Sequence, residues 1–431
     1  MGFENNMPEG WVDSIFGKLP KDWGVVEIDN IADVTKLAGF EYSEYFEYVE
    51  DGEIIALRAL NSKNGILDLK NIKRIRKTVS DQLPRSKLIK NDILFTYTGT
   101  IGEFALIPEN NKYHLAPNVC LIRCNQNFDV YFLYSFFRTS KFKKLVEGFI
   151  NGSTQETIPM ANIRQFSIIS PPLPEQKAIA KVLTAFDDKI ELLQAQNKTL
   201  ETMAQTIFKE WFGKYQIGDE LPEGWRVGKL GEIANLKSGY AFKSKDFVEE
   251  SSKKALKIKD LKGDGKVSLN AVSCVTNDVT ELSRVQYFKL KEGDIVLAMS
   301  GNTTGKIGVI PPHSNEVYLN QRVGKFFMIK QDLNSFLYSF LMSGNYEEKI
   351  LSMGYGSAQP NISPSQIENI DIIYPNEEML FSFLNISNPI FNKVLDNNAQ
   401  IQSLTKTRDT VLPKLMSGQV RINNIKQLAS A

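Results

Sequence analysis

The stretch from Leu173 to Phe212 constrains the fold more than any other part of this sequence, because it contains no Gly and, after Pro174, no further Pro. Its apolar residues recur in alternating steps of four and three, which is the heptad pattern of a coiled-coil seam. At 1.5 Å rise per residue, we expect one unbroken helix roughly 60 Å long. The predicted seam is Ile179, Leu183, Phe186, Ile190, Leu193, Asn197, Leu200, Ala204, Ile207 and Trp211.

Such a seam requires a partner, and a second stretch near the end of the sequence follows the same rhythm with more polar residues. In an antiparallel pair, one register places Asn197 opposite Asn397, where the two buried amides can bond each other. A shift by one heptad would face each Asn with an apolar residue. We therefore predict an antiparallel coiled coil in this register, acting as a rigid spacer. The second seam is Phe383, Ser387, Ile390, Val394, Asn397, Ile401, Leu404, Arg408, Val411 and Leu415.

An internal repeat accounts for the presence of two such helices. Residues Leu19 to Trp23 (LPKDW) recur as Leu221 to Trp225 (LPEGW), and Phe132 to Phe136 (FLYSF) recurs as Phe336 to Phe340. The chain is therefore a duplication of one globular part followed by one long helix. The predicted segments are an N-terminal arm at 1–18, a first globular domain at 19–172, a central helix at 173–216, a second globular domain at 217–376, a C-terminal helix at 377–419 and a tail at 420–431.

Each globular part shows mixed secondary-structure signals. Short apolar runs bounded by Gly-rich turns predict strands at Asp92–Tyr97, Phe104–Ile107 and Val119–Arg123. Amphipathic patterns predict one helix at Val130–Ile150 and its repeat at Leu333–Leu351. The predicted fold class is therefore α+β, with two similar domains separated by a pair of long antiparallel helices.

The overall charge of the chain is uninformative about its partner, because 51 Lys and Arg face 50 Asp and Glu, a net charge of +1. Local charge is not balanced: residues 53–90 carry a net charge of +7, and residues 226–266 carry +5. A solvated Lys-rich face would explain either region alone, but two basic regions in corresponding halves favour a polyanion. There is no run of 18 apolar residues, so we expect no membrane span and a cytoplasmic location.

Small polar loops follow corresponding elements in the two halves. Gly lets the backbone approach a ligand closely, and Ser, Thr, Asn and Gln can bond phosphates or base edges. Ordinary turn chemistry predicts the same composition for the loops, and salt-bridged surface positions are the favoured explanation for Arg58, Lys259, Gln321 and Arg322, so these alternatives stay open. The candidates are Arg58, Thr98, Gly99, Thr100, Ser153, Thr154, Gln155, Lys259, Ser300, Gly301, Asn302, Thr303, Gln321, Arg322, Ser357 and Gln359.

The sequence offers no catalytic centre. No nucleophile, base and orienting group recur together, and the two His residues do not occupy corresponding places. Ser170-Pro171-Pro172-Leu173 approaches the motif with which amino-methyltransferases hold a flipped base, but it lacks the aromatic residue. We expect a non-catalytic chain with no metal and no cofactor of its own.

The repeated Leu-Pro-x-x-Trp openings, together with Gly152 to Gln155, the helix start Pro171 to Gln176 (PPLPEQ) and Leu415 to Gly418 (LMSG), resemble the specificity subunits of type I restriction-modification systems. The resemblance covers nearly the whole chain. The second helix departs from the pattern, since it begins Tyr374-Pro375-Asn376-Glu377-Glu378 without Pro-Glu-Gln.

This resemblance implies two target-recognition domains, each reading one half of a split asymmetric sequence in double-stranded DNA. It also implies that two modification subunits dock on the helices and supply S-adenosylmethionine and adenine methylation, while restriction subunits add ATP-driven translocation and cleavage, with Mg²⁺ as a further cofactor of the partner subunits. The docking residues would be Pro174, Glu175, Gln176 and the two seams. The alternative is a structural adaptor whose helices scaffold partners and whose domains bind peptides or glycans.

Overall fold

The computed structural model describes residues 10–150, 156–263, 265–269, 272–330, 332–343, 346–353 and 362–422. These residues form two compact units. The first unit extends up to Asp188 and resumes at Lys406, and the second unit extends from Lys189 to Thr405. Each unit therefore combines a globular part with portions of both long helices, whereas the division predicted from sequence treats each helix as one segment.

The described residues of the first unit form two four-stranded sheets and three two-stranded sheets. The sheets have the strand orders β11-β10-β13-β4 and β8-β5-β12-β9, and β14 pairs with β3. The strands are β1 Trp11–Ser14, β2 Gly17–Pro20, β3 Gly24–Glu27, β4 Ala32–Lys36, β5 Ile54–Leu57, β6 Ser62–Lys63, β7 Ile66–Leu67, β8 Lys73–Ile75, β9 Lys87–Leu88, β10 Ile93–Thr96, β11 Phe104–Leu106, β12 Tyr113–Leu115, β13 Val119–Cys124 and β14 Ser167–Ser170. The helices are α1 Gly39–Tyr45, α2 Lys77–Gln82, α3 Val130–Phe137, α4 Ser140–Glu147, α5 Met160–Arg164 and the first part of α6 Leu173–Phe212.

The second unit repeats this plan. Its larger sheet, β16-β24-β21-β22-β19, keeps the order of the first sheet and adds one strand, and β25 pairs with β15 as β14 does with β3. The strands are β15 Arg226–Lys229, β16 Ala234–Ser238, β17 Phe247–Val248, β18 Lys253–Leu256, β19 Gly265–Lys266, β20 Ser273–Val275, β21 Ile295–Ala298, β22 Ile307–Val309, β23 Glu316–Leu319, β24 Val323–Met328 and β25 Asp371–Tyr374. The helices are α7 Asn277–Thr280, α8 Ser283–Gln286, α9 Asn334–Met342, α10 Tyr346–Met353, α11 Pro364–Glu368 and part of α12 Glu377–Met416. The predicted α+β duplication is confirmed.

The single helix predicted at Val130–Ile150 and its repeat predicted at Leu333–Leu351 are both wrong, because each is divided into two helices. In the first unit, α3 ends at Phe137, and the hydroxyl of Thr139 accepts a hydrogen bond from the backbone N–H of Phe142 at 3.3 Å. Thr139 thus caps a new helix, since its side chain satisfies an N–H that has no partner within α4. In the second unit, α9 ends at Met342 and α10 begins at Tyr346. An amphipathic pattern alone does not reveal such a cap.

The long helices have the predicted antiparallel register. Within the second unit, the side-chain N–H of Asn397 donates to Oδ1 of Asn197 at 2.9 Å, and the rings of Trp211 and Phe383 lie 6.1 Å apart, as the same register requires. The predicted Asn197–Asn397 pair is therefore confirmed, but it is bonded in one direction only. The N–H of Asn197 donates instead to Oδ1 of Asn398 at 2.9 Å, and Oδ1 of Asn397 is buried with no hydrogen-bond partner in the described part of the chain.

The buried face of α6 also shifts at its end. Phe208 and Phe212 are buried in the core of the second unit, whereas the seam positions predicted there, Ile207 and Trp211, are half-buried. A straight helix drifts by about 20° per heptad relative to a strict seven-residue repeat. The aromatic residues of α6 follow the globular core at this end, rather than the coiled-coil seam.

A three-residue ionic group joins both long helices to α3 within the first unit. Asp187 on α6 bonds Arg408 on α12 at 2.7 Å and Arg138 beyond α3 at 2.6 Å. All three side chains are largely shielded from solvent. Arg408, which weakened the apolar seam in the sequence, therefore has a specific partner.

The described part of the N-terminal arm forms the β1–β2 hairpin, which packs on the first unit. The Phe16 ring contacts the Phe136 ring edge-on, and the ammonium of Lys141 donates to the Phe16 carbonyl at 2.7 Å. Among the described helices, none has both the length and the apolar character needed to cross a membrane.

Candidate nucleic-acid interface

In the first unit, the candidate loop Thr98–Thr100 follows the fully buried strand β10. Thr98 is itself buried, and its hydroxyl lies 2.8 Å from the hydroxyl of Thr157. Gly99 and Thr100 are exposed, and Gly99 has a φ of +87°, a conformation that a side chain would strain. Only Gly99 and Thr100 of this loop are therefore available to a ligand.

The corresponding loop of the second unit, Ser300–Thr303, follows β21 and has the same kind of turn, with Gly301 at a φ of +77°. The hydroxyls of Ser300 and Thr303 are buried and have no hydrogen-bond partner within the described ranges. Asn302 is exposed at the tip. Buried hydroxyls without partners are rare in folded proteins, and here they lie beside an exposed amide. The loop thus has unused hydrogen-bonding capacity.

Three further candidates lie beside this loop in the second unit. The backbone N–H of Met299 donates to the carbonyl of the exposed Arg322 at 3.0 Å, which brings the β23–β24 turn, with Gln321, against it. On the other side, the turn Ile258–Asp260, which carries the exposed Lys259, packs against Gly301. The structure therefore brings together the candidates Lys259, Ser300, Gly301, Asn302, Thr303, Gln321 and Arg322.

The equivalent surface of the first unit is less cationic. Asn118 takes the place of Arg322, since its carbonyl accepts from Tyr97 N–H at 3.3 Å. Arg58 is committed to its own loop, where Nη2 donates to the Asn71 carbonyl at 3.0 Å and to Asn71 Oδ1 at 3.1 Å. Its Nε is buried without a partner among the residues described. Arg58 therefore positions the 58–71 segment rather than reaching freely into solvent.

The structure shows which residue of the second unit corresponds to Arg58. The backbone N–H of Arg58 is bound by Oδ1 of Asn61 at 3.1 Å, and that of Lys257 by Oδ2 of Asp260 at 2.8 Å. Lys257, which sequence reasoning missed, is thus the counterpart of Arg58, and Lys259 is the counterpart of Leu60. In both halves, an Asn or Asp that binds the backbone N–H of the cation follows it at the same spacing, and this repeated spacing could have revealed the correspondence from sequence. The candidates Ser153, Thr154, Gln155, Ser357 and Gln359 lie outside the described residues.

The Pro-Glu-Gln start of α6, predicted to dock partners, is largely used within the first unit. Glu175 accepts from the Trp23 indole N–H at 3.0 Å and pairs with Arg421 at 2.6 Å. Gln176 is buried, accepts from the backbone N–H of Asp129 at 2.9 Å and donates to the Pro171 carbonyl at 2.8 Å. Only Pro174 of this motif is exposed. The motif joins the Leu-Pro-x-x-Trp opening to the C-terminal tail.

The seam residues also face inward. Those that are buried are Ile179, Leu183, Ile190, Leu193, Asn197, Phe383, Ser387, Asn397 and Leu415. Those that are half-buried are Phe186, Leu200, Ala204, Ile207, Trp211, Ile390, Val394, Ile401, Leu404, Arg408 and Val411. A partner would instead meet the outer face of α6, where Leu192 and Met203 are exposed.

Comparison with known proteins agrees with this duplicated architecture. The model of the type I restriction modification DNA specificity domain matches residues 20–202 and again 222–379. The type I restriction enzyme MjaVIII specificity subunit of Methanocaldococcus jannaschii is 29% identical over 429 residues, covering 95% of both chains. The MjaIX specificity subunit of the same organism is 26% identical over 431 residues, covering 95% of this chain and 96% of that one.

A solved structure shares the fold. The crystal structure of the type I restriction-modification system S subunit from M. genitalium superposes with a TM-score of 0.59 at 18% identity, covering 96% of this chain and 98% of that chain. Because the domain model matches both halves, the chain belongs to the family of type I restriction-modification specificity subunits, the non-catalytic DNA-recognition subunits of these enzymes.

Proposed function

We propose that this chain reads a split sequence in double-stranded DNA, with each unit recognising one half. The observation that carries this proposal is the repeated loop arrangement. Gly99–Thr100 in the first unit and Gly301–Asn302 in the second each follow a buried strand and lie beside an exposed turn. Backbone amides at tight turns and short polar side chains are groups that bind phosphates and base edges.

Charge supports DNA as the ligand. Lys259 and Arg322 flank the loop of the second unit, and neither belongs to an ion pair among the described residues. In the first unit, the exposed cations Lys63, Lys70 and Lys73 lie in the neighbouring segment. Exposed, unpaired cations attract phosphates and release counterions on binding, so affinity should fall steeply with salt.

The paired helices would serve as the spacer that fixes the separation of the two half-sites, and their outer faces would dock two methyltransferase subunits. S-adenosylmethionine would then be bound by those subunits, with ATP and Mg²⁺ used by restriction subunits, all acting on DNA in the cytoplasm. The exposed Leu192 and Met203 on α6 support docking on the outer face, since apolar residues on a helix surface suit helix packing.

Fluorescence anisotropy of the full chain with a labelled random duplex, measured over a salt series, tests DNA binding. We expect log K to fall linearly with log salt. A chain that does not bind duplex DNA at low salt but binds peptides or glycans would instead be the structural adaptor.

A second experiment tests the absence of methyltransferase activity in this chain. A radiolabelled S-adenosylmethionine binding assay on the isolated chain should show no retained label, and retained label would contradict the assignment of methylation to partner subunits.

A further inference from the structure

A short β-ribbon in the first unit presents apolar side chains to solvent. Strands β6 and β7 are joined by Asn64 and Gly65, both with positive φ, as in the two-residue turns of tight hairpins. One side of the ribbon is anchored, because Gly65 N–H donates to the Phe104 carbonyl at 3.0 Å and the Tyr134 hydroxyl donates to the Gly65 carbonyl at 3.2 Å. The ribbon is therefore held in place while its other face is free.

Three exposed aliphatic residues lie on this ribbon and at its base. Ile66 is 70% exposed at the tip, and Leu60 and Leu69 are 46% and 39% exposed at the base. The base is closed by Asn61, whose carbonyl accepts from Asp68 N–H at 2.9 Å. Leu60 and Leu69 flank this closure, so the three side chains belong to one small element rather than to scattered positions.

The surroundings of this apolar face are cationic. Residues 58–76 contain six Lys or Arg and one acid, a net charge of +5. Lys63, Lys70 and Lys73 are exposed, and within the described residues none of them forms an ion pair. Protein–protein interfaces are depleted in Lys around their apolar centres, whereas DNA interfaces combine Lys with apolar contacts to bases. The composition therefore favours DNA over a protein partner.

The ribbon also lies beside the candidate loop of its unit. The Thr100 hydroxyl donates to the Ala59 carbonyl at 3.4 Å, next to Leu60. A ligand that meets Gly99 and Thr100 would therefore meet the ribbon as well.

The second unit builds the equivalent element with different chemistry. Ser268 N–H donates to the Asp260 carbonyl at 2.9 Å, as Asp68 does to Asn61, so the two elements correspond. Asp260 and Ser268 are eight positions apart, whereas Asn61 and Asp68 are seven apart, so the second element contains one more residue in its turn. Lys259 then stands where the first unit has Leu60, and Lys266 where it has Ile66. Leu60 and Lys259 occupy the same place in matching turns, Ala59–Asn61 and Ile258–Asp260, and differ in charge.

We propose that the β6–β7 ribbon enters the major groove and that Leu60 and Ile66 contact the C5-methyl groups of thymine, while Lys259 at the equivalent place in the second unit contacts a phosphate. The proposal rests on DNA recognition by both units. The major groove admits a two-stranded ribbon, and the thymine methyl is its apolar recognition feature. The first half-site is thus read partly by apolar contact, and the second is held more by charge.

The test uses a duplex selected by the full chain from a random pool and a copy of it with deoxyuridine in place of every thymidine. Wild-type affinity should fall on this replacement, by about threefold to fivefold for each methyl contacted, the factor that burial of one methyl group gives. The Leu60→Ser/Ile66→Ser variant should bind the thymidine duplex more weakly and should not discriminate between the two duplexes. Ile15→Ser, at a 69% exposed position on the β1–β2 hairpin, should behave as wild type.

An exchange of residues between the units gives an independent readout. Leu60→Lys should steepen the slope of log K against log salt by about 0.9, as one added phosphate contact does, and Lys259→Leu should reduce it by about 0.9. Both positions are exposed, and circular dichroism checks that each variant is folded. Unchanged slopes together with unchanged thymidine discrimination in the Ser variant would overturn the proposal while DNA binding stands. Failure of the wild type to select any duplex would overturn the proposed function itself.

Discussion

The side-chain N–H of Asn397 donates a hydrogen bond to the side chain of Asn197 across the helix pair. The internal repeat gives the helix pair an equivalent pair of positions, and the residues there are apolar. The duplication places Leu193 at the position equivalent to Asn397, and Ile401 at the position equivalent to Asn197. One of two otherwise equivalent layers is therefore polar. A single polar layer specifies register at a cost in stability, because other alignments would bury the amides against apolar side chains.

The Asn397→Leu variant tests the energetic part of this argument. It removes the donor to Oδ1 of Asn197, which is buried, and should reduce the free energy of unfolding by about 1–3 kcal/mol. The Asn197→Leu/Asn397→Leu variant removes both polar groups and should recover most of that loss. Urea denaturation of the full chain gives the double-mutant cycle. A double variant less stable than either single variant would contradict the argument.

Asp187 should be a principal electrostatic contributor to the stability of the first unit, because its carboxylate forms ion pairs with both Arg138 and Arg408. The Asp187→Asn variant leaves the largely shielded guanidinium of Arg138 without its carboxylate, and leaves Arg408 with the exposed Asp409 as its partner. We expect a loss of about 1–3 kcal/mol, less than for a fully buried pair because the group retains some contact with water. The matched control is the exposed neighbour Asp188→Asn, which should change the urea midpoint little. Equal effects of both substitutions would show that the three-residue group adds no specific stability.

Much of this fold is predictable from sequence because periodicity and repetition are cooperative signals. The heptads of α6 extend over many residues, and the Asn argument selects one register from several. The division of Val130–Ile150 into α3 and α4 was missed, because it depends on one Thr139 cap within a continuous amphipathic pattern. Packing against a globular core likewise moves burial from Trp211 to Phe212.

Within the candidate interface, sequence located the loops but not the use of each side chain. Thr98, Glu175 and Gln176 are drawn into internal hydrogen bonds by residues distant in sequence, such as Thr157 and Arg421. Arg58 is held by Asn71, thirteen residues away in the sequence. Such partners follow from the tertiary fold and not from local spacing, which is why the small polar candidates were separated into available and unavailable groups only by the structure.

The stability of the second unit should depend on pH through Glu316. The Lys253 ammonium at 2.6 Å, followed by the Tyr318 hydroxyl at 2.6 Å, lowers the pKa of this carboxyl from 4.5 to about 2. Because the folded-state pKa is depressed, its stabilising contribution is complete above pH 4.5 and is lost as pH falls toward 2. In thermal denaturation at pH 7, the melting temperature of wild type should be higher than that of Glu316→Gln. The difference should be at most about 2–4 °C, because the Glu316 side chain is partly exposed.

The difference in melting temperature between wild type and Glu316→Gln should become smaller as the pH decreases from 4.5. Glu292 is exposed, so Glu292→Gln is a matched control whose melting temperature should equal that of wild type throughout this pH range. A constant difference between wild type and Glu316→Gln from pH 7 to pH 2.5 would show that packing, rather than the charge of Glu316, accounts for the effect.

The spacer hypothesis predicts the consequence of shortening both helices together. Deleting Lys189–Ala195 from α6 and Ala399–Thr405 from α12 removes one heptad from each helix and preserves the Asn197–Asn397 pairing of the remaining residues. The helix pair becomes shorter by about 10 Å, and its phase changes by only about 20°. At 3.4 Å per base pair, the gap between half-sites should decrease by about three base pairs, with both half-sites unchanged. Methylation-sensitive sequencing of cells that express the variant with the methyltransferase subunits measures the gap directly. Deletion from α6 alone should instead shift the register and destabilise the chain, and an unchanged gap in the paired deletion would rule out the helices as the spacer.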